Sequence, residues 1–321
     1  MIPALFLAAA IVPQEGAAQA SLDAPNLMIQ GNPYVVEVRI EAPADRSITL
    51  PSTVIGAGAF QLDGVALGET EGATAISLLP GQVVETTIDL APVIAECEGF
   101  KKREFQLQYV GLSGVDPVEV FFLRRAEPGI DFMQLPVEQL GDYDVVLQTM
   151  YGPMWVQLWA DITPHHARNF LDLAYRGFYD ENHFHRVIPG FMVQGGGARP
   201  ANPAPRRVKN EFNDRRHVAG VLSMARLGAD TKDADGNLIP QYDSATCEFF
   251  IVHKTSPHLD GKYTAFGKIV LGLDALERIV DSVKEGFNPR DPRTHRPKVR
   301  QEIKRALVVR APDRRPTGED K

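Results

Sequence analysis

The chain has 321 residues, 44% of them hydrophobic and 23% charged, which is an ordinary globular composition and enough length for two domains. A formal net charge of −7 and a pI near 5.7 argue against a nucleic-acid binder, whose footprint is a strongly basic balance. The two cysteines, Cys97 and Cys247, neither support nor exclude export.

In chain order, residues 2–12 are apolar and uncharged but too short to span a bilayer comfortably. Ala18-Gln19-Ala20 follows as a small-x-small cleavage pattern. Residues 1–20 are therefore expected to be a secretory signal peptide processed before Ser21, leaving an exported periplasmic or cell-envelope protein with no membrane span. No cysteine follows the cleavage site, which argues against a lipoprotein-type anchor. Residues 21–135 read as a separate β domain: Val36, Val38 and Ile40 alternate with Glu37, Arg39 and Glu41, and similar alternation recurs at Val84, Thr86, Ile88 and Leu90 and at Phe105, Leu107 and Tyr109. Short strands with Gly and Pro turns suggest an antiparallel sandwich of immunoglobulin type. It carries no helix pattern and no chemical constellation, so docking of substrates, an envelope protein partner and a spacer role all stay open. Residues 136–142, inside the stretch 128–144, read as a linker, residues 143–311 as a second domain, and 312–321 as a disordered tail. A disulfide between Cys97 and Cys247 would cross the domain boundary and is not expected; Cys247 precedes a core strand and is expected to be a buried thiol.

Thr163 and Pro164 suit the N-cap and first position of a helix, along which Ala167, Phe170, Leu171 and Ala174 form one apolar stripe until Gly177 ends it. His165 and His166 fall in its first turn and are expected to be solvated. Residues 184–188 read as a strand, Pro189-Gly190 as a turn and 191–194 as the returning strand. Alternation places Phe184, Arg186 and Ile188 on one face, and Met192 with Gln194 on one face. The stretch 229–245 is long, and long loops are often functional. Thr231, Asp233, Asp235 and Gly236 faintly resemble the start of a calcium loop, but Tyr242 falls where the bidentate glutamate belongs, so a solvated loop shaping substrate access is the expectation. His183 and His185 alternate on a strand without a carboxylate or cysteine at ligand spacing, so no metal is expected there. A second helix carries Leu276, Ile279, Val280 and Val283 at helical spacing, and residues 306–309 suit a closing strand. No Ser-His-Asp arrangement, phosphate loop or Rossmann fingerprint stands out.

The run FHRVIPGFMVQGG over residues 184–196 resembles the active-site hairpin of a cyclophilin, a peptidyl-prolyl cis/trans isomerase, and the resemblance extends over roughly 143–310. It implies a mainly β fold in which an eight-stranded antiparallel barrel is capped by two helices, a substrate of proline-containing polypeptides, and no cofactor or metal. It makes Arg186 the catalytic side chain. Phe191, Met192, Phe250 and Leu259 would line the proline pocket, Gln194 would hydrogen-bond the substrate backbone, and Ala225 and the backbone of Arg226 would lie along the peptide before the proline. Three positions depart from the usual pattern. Glu248 stands where the family usually has glutamine, so a donor-and-acceptor amide becomes an acceptor-only carboxylate; that would weaken a backbone contact, favour basic peptides or pair with Arg186. His258 stands where many members carry tryptophan, which implies weak cyclosporin binding. Tyr263 replaces a histidine and can still pack on the ring. The expected function is isomerisation of X–Pro bonds in exported proteins; the alternative is a catalytically weak proline-peptide-binding or scaffold module.

Overall fold

The computed structural model describes residues 18–68, 74–96, 104–199, 207–228, 231–232 and 238–312. It divides into two compact units, Met1–Arg124 and Arg125–Lys321. In the first unit, the alternation along Val35–Glu41 turns Val36, Val38 and Ile40 inward, each at most 1% exposed. That strand pairs antiparallel with Gln19–Asp23 and Val83–Asp89. A five-stranded sheet runs in the order Leu27–Ile29, Val118–Leu123, Glu104–Tyr109, Phe60–Leu62 and Val65–Ala66. Val38 of the first sheet and Phe60, Leu107 and Phe122 of the second share one hydrophobic cluster, which makes the unit a sandwich.

Two features depart from the expected helix-free antiparallel pattern. Leu27–Ile29 pairs parallel with Val118–Leu123. Ala91–Glu96 is a short helix that buries Ile94 completely. Pro92 suits a first helical turn, but six residues are too few to display a helical stripe. The expected cleavage before Ser21 falls inside the Gln19–Asp23 strand, where Gln19 and Ala20 pair with Glu41 and Ile40. Residues 1–17 and Cys97 lie outside the described residues.

The second unit is built on a closed barrel of strands β1 (Tyr143–Thr149), β2 (Gly152–Leu158), β3 (Asn182–Ile188), β4 (Met192–Gly195), β5 (Val221–Met224), β6 (Phe249–Val252), β7 (Ala265–Leu271) and β8 (Gln301–Arg310). Around the barrel they run β1-β2-β7-β5-β6-β4-β3-β8, every pair antiparallel. Two helices pack on it, α1 (Pro164–Tyr175) and α2 (Leu273–Lys284). The expected stripes are buried: Ala167, Phe170, Leu171 and Ala174 on α1, and Leu276, Ile279 and Val280 on α2. Gly177, at φ +71°, follows α1 in the left-handed conformation of a helix terminator.

The cap of α1 differs from expectation. Thr163 Oγ1 donates to the carbonyl of Trp159 and leaves the helix end alone. The carboxylate of Glu211 caps instead, accepting from the backbone N–H groups of His165 and His166 at 3.0 Å each. His166 is also buried, at 1% exposure, because its Nδ1 reaches the same carboxylate at 2.7 Å; only His165 is solvated. Residues 136–142 are likewise no linker. Phe132 and Leu140 are fully buried in the barrel's cluster, and the Phe132 ring stands edge-on to Tyr143 and Tyr175 at 5.0 and 5.2 Å. Arg168 Nη1 fixes the segment by donating to the Phe132 carbonyl at 2.7 Å. Isolated apolar residues among Pro and Gly show no period, so nothing local announces this packing. At the other end, Ala311 N still donates to Asp142 O at 2.8 Å, and residues 313–321 lie outside the described residues.

The β3–β4 hairpin decides where the arginine points. Ile188, Val187 and Arg186 pair with Met192, Val193 and Gln194, but Phe184 then pairs with Gly195. His185 is thus an extra residue, a β-bulge that breaks the alternation. Phe184 therefore does not share the face of Arg186 as simple alternation requires: it is 0% exposed in the core while Arg186 faces out. Gly195 makes room, since a Cβ there would lie 2.8 Å from Phe184 Cδ1 and 2.9 Å from the His183 carbonyl oxygen.

Candidate active site

Pairing across four strands sets Arg186, Gln194, Phe250 and Ser223 side by side on β3, β4, β6 and β5. Their neighbours Val187, Val193, Ile251 and Leu222 fill the barrel interior at 0% exposure, so the first row lies on the outer face. Most outer faces of such strands are polar. Here Met192, Val221, Phe250, Val252, Leu259 and Ala265 form a second hydrophobic cluster outside the barrel core.

Above that cluster lies a cavity of about 440 Å³, within the range of small-ligand sites. Arg186, Phe191, Met192, Gln194, Ala225, Arg226, Phe250, His258, Leu259 and Tyr263 all line it. Glu248 does not; its carboxylate stands behind Gln194. Met192, Phe250 and Leu259 form a floor that is at most 5% exposed, whereas Arg186 and His258 are exposed at the rim. Phe191 leans on the His258 ring at 5.3 Å, and Tyr263 stands edge-on to Phe250 at 5.6 Å. The Arg226 guanidinium is layered between two rings, 4.5 Å from Tyr263 and 4.9 Å from Tyr242, and its Nε donates to the Lys262 carbonyl at 3.1 Å. Tyr242 belongs to the long connection, whose base thereby joins the rim. Thr231 and Lys232 in that connection pair with Leu238 and Ile239, while Asp233, Asp235 and Gly236 lie outside the described residues.

The polar side of the pocket is a chain. Arg186 Nη1 donates to Gln194 Oε1 at 3.3 Å, and Gln194 Nε2 donates to Glu248 Oε2 at 2.8 Å. The direct Arg186–Glu248 pair that the sequence allows is not formed, because Gln194 sits between the two groups. Glu248, with its side chain 40% exposed, instead approaches His185 Nε2 at 3.7 Å.

Three residues of the site escape sequence reasoning. Lys262 lines the rim. His253, 4% exposed, accepts from the Gly190 backbone N–H at 2.9 Å through Nδ1 and donates through Nε2 to Glu277 on α2 at 3.0 Å. It pins the turn that carries Phe191, whose carbonyl accepts from His253 N at 2.9 Å. His217, 1% exposed, stacks on Phe250 from beneath with ring centroids 6.2 Å apart and planes 18° apart. Its Nδ1 donates to Asp260 Oδ1 at 2.8 Å and its Nε2 lies 3.0 Å from Ser223 Oγ. No local pattern marks either histidine, since Asp260 is 43 residues from His217 and Glu277 is 24 from His253. Among the described residues, no group of three or more His, Cys, Asp or Glu could hold a metal ion, and no helix is long and apolar enough to cross a membrane. Cys247 is a free, buried thiol.

The family model that matches residues 144–308 is described as cyclophilin type peptidyl-prolyl cis-trans isomerase/CLD. A peptidyl-prolyl cis-trans isomerase of Synechococcus elongatus is 40% identical over 144 residues, covering 44% of this chain and 88% of that protein. Peptidyl-prolyl cis-trans isomerase B of Bacillus subtilis is 41% identical over 122 residues, covering 37% of this chain and 76% of that protein. Among solved structures, a cyclophilin type peptidyl-prolyl cis-trans isomerase of Cryptosporidium parvum is 28% identical, with a TM-score of 0.42 over 53% of this chain and 98% of that one. A second structure of it, determined in the presence of the dipeptide Ala-Pro, gives a TM-score of 0.41 over 53% of this chain and 99% of that one.

Burial pushes the His217 imidazole below its ordinary pKa, against the opposing pull of Asp260. The unfolded chain then takes up this proton near its ordinary value of about 6.5, and the folded protein only at lower pH. Stability is therefore lost as pH falls below that value. Between about pH 7.5 and about pH 5, the urea midpoint of the wild type should fall further than that of His217→Gln, which keeps polar contacts but cannot titrate. His183 and His185, also depressed chiefly by burial, are present in both proteins and cancel. Equal falls would remove His217 as the linked group.

Proposed function

This chain belongs to the cyclophilin family of peptidyl-prolyl cis/trans isomerases, and from that we propose that its reaction centre is the Arg186 guanidinium over the floor of Met192, Phe250 and Leu259. The enzyme rotates the peptide bond that precedes proline. Resonance in that bond raises a barrier of roughly 18–20 kcal/mol, and the uncatalysed exchange takes tens to hundreds of seconds. Nothing needs to be broken, so the protein must favour only the twisted state. In that state the prolyl nitrogen loses conjugation and becomes a hydrogen-bond acceptor. Arg186 is suited to meet it: the guanidinium stays charged, presents about five donors in a rigid fork, and commits one of them to Gln194 among the described residues. The apolar floor holds the pyrrolidine ring and keeps water away, where a charged donor acts most strongly. Gln194 steadies the fork through Oε1 and keeps one N–H for the substrate backbone. The observation that carries this reading is an exposed guanidinium beside an apolar cavity on the outside of a closed barrel.

In a protease-free exchange assay on an Ala-Pro peptide, Arg186→Ala should lower kcat/KM by about a hundredfold or more, with the fold intact by circular dichroism. Undiminished exchange would remove Arg186 from the mechanism. Peptide binding by the wild type without accelerated exchange would support the proline-binding scaffold instead.

Glu248 is the selectivity determinant in this reading. Its carboxylate, beside the groove, favours basic side chains on the client and repels acidic ones. Because it is 40% exposed, the effect is small, about two- to fivefold in kcat/KM. For Xaa-Ala-Pro peptides, the preference for Lys over Glu at Xaa should shrink in Glu248→Gln; an unchanged ratio would exclude the role.

The apolar stretch 2–12 and the Ala18-Gln19-Ala20 pattern support a place among exported proteins, with proline-containing clients folding outside the cytoplasm and residues 21–135 offering a surface to an envelope partner. Expressed with its first 20 residues in a bacterium, the protein should appear in the periplasmic fraction with a mass beginning at Ser21. An uncleaved cytoplasmic product would overturn export.

A further inference from the structure

A second cavity, of about 360 Å³, is lined by His183 and His185 of β3 and by Arg296, Lys298 and Arg300 of the segment that leads into β8. Among the described residues, no carboxylate lines it. Arg300 is partly committed, donating to the Glu181 carbonyl and lying 3.9 Å from Glu302. Arg296 and Lys298 are exposed and form no hydrogen bond or ion pair with a described residue. His183 Nδ1 is buried without a hydrogen-bond partner, and an orphaned buried nitrogen calls for a ligand or carries a cost.

The protonation states of the two histidines follow from the same surroundings. Burial first, and then Arg300, His185, Arg199 and Arg296, push His183 toward its neutral form. His185 is depressed by burial and by Arg296 and Arg186, against the pull of Glu248. The nearest carboxylates, Glu248 at 3.7 Å from His185 and Glu302 at 3.9 Å from Arg300, stand outside the lining and leave Arg296 and Lys298 without a counter-charge among the described residues. The donors present are guanidinium forks, an ammonium and two imidazoles, the set that recognises phosphate-type oxyanions.

We propose that this cavity binds a small dianionic oxyanion of the phosphate class. The site is wired to the pocket: His185 Nε2 lies 3.7 Å from Glu248 Oε2, which accepts from Gln194, which accepts from Arg186. An anion that favours the charged form of His185 draws Glu248 toward it and loosens its hold on Gln194. This coupling rests on the reaction centre proposed above; the binding itself does not.

Titration calorimetry of the full chain with inorganic phosphate, against sodium chloride of equal ionic strength, tests the site. The wild type should bind saturably. The double variant Arg296→Ser with Lys298→Ser, both exposed and remote from the core, should bind at least about tenfold more weakly. Equal affinities, or a phosphate signal no different from chloride, would overturn the proposal. The Gln194 side-chain amide resonance should shift with the same midpoint; saturable binding that leaves it fixed would sever the coupling while leaving the site. An Ala-Pro peptide bearing phosphoserine separates the sources. Tighter binding than its serine twin, lost in the double variant, assigns the anion to the client chain, and equal binding of the twins assigns it to free phosphate.

Discussion

A closed barrel gives every strand one inward and one outward face, and the pocket exists because four adjacent strands break the usual use of the outer one. Inside, Val187, Val193, Ile251 and Leu222 close the core. Outside, the residues paired beside them are Arg186, Gln194, Phe250 and Ser223. A one-residue slip in any of these strands would exchange the two rows and destroy both core and site. The bulge at His185 is the local device that reconciles the demands on β3. It lets Phe184 plug the core while Arg186, two residues on, stays outside. Gly195 opposite is the only kind of residue that fits between Phe184 and the His183 carbonyl. Closure thus fixes the face on which Arg186 stands, which is what the proposed reaction centre asks of its scaffold.

Behind the arginine, polar contacts are layered so that the pocket side chains are held by one another. Gln194 spans from Arg186 to Glu248 with both ends of its amide in use. On the apolar side, the floor ring Phe250 is backed by His217, and His217 is in turn held by Asp260 and Ser223. The turn bearing Phe191 is clamped by His253, and His253 by Glu277. Each of these two imidazoles sits between a ring or backbone group of the pocket and a carboxylate near the surface. The arrangement fixes which ring nitrogen carries the proton, since a carboxylate can only accept.

How much of this was legible in the sequence varies with the range of the interaction. The hairpin and both helical stripes were readable because they recur at short fixed spacings, whereas the pocket side chains, spread from 186 to 263, came only from the family resemblance. The resemblance over 184–196 then put Arg186, Phe191, Met192 and Gln194 in one groove, and the pairing of β3, β4 and β6 places them there. Long-range support was not readable. Glu211 replaces Thr163 as the cap of α1 from 45 residues or more away, and Phe132 enters the core from a stretch with no period. The bulge was hidden for a different reason: alternation is the default for a strand, and nothing in HFHR announces an extra residue. In the first unit, the parallel pairing of residues 27–29 with 121–123 joins segments too far apart for any local pattern to specify.

The pocket's division into floor and rim bears on how it can turn over. Met192, Phe250 and Leu259 are at most 5% exposed, packed by the protein's own atoms, so in the proposed reading their side chains lose little freedom on binding a proline ring. What remains exposed is the rim: Arg186, His258 and Lys262, with Phe191, Ala225, Arg226 and Tyr263 half-buried. In the proposed reading, ordering therefore falls mainly on the groups set against the peptide bond and its flanking residues. A rotating amide needs that distribution. A floor that had to form around the ring would spend binding free energy on the ground state, where it raises affinity but not rate. A rim fully locked in advance would favour one isomer's shape over the twisted state between them. The stacking of Arg226 between Tyr242 and Tyr263 partly stiffens one wall, and on the opposite wall Gln194 holds Arg186 through a 3.3 Å hydrogen bond.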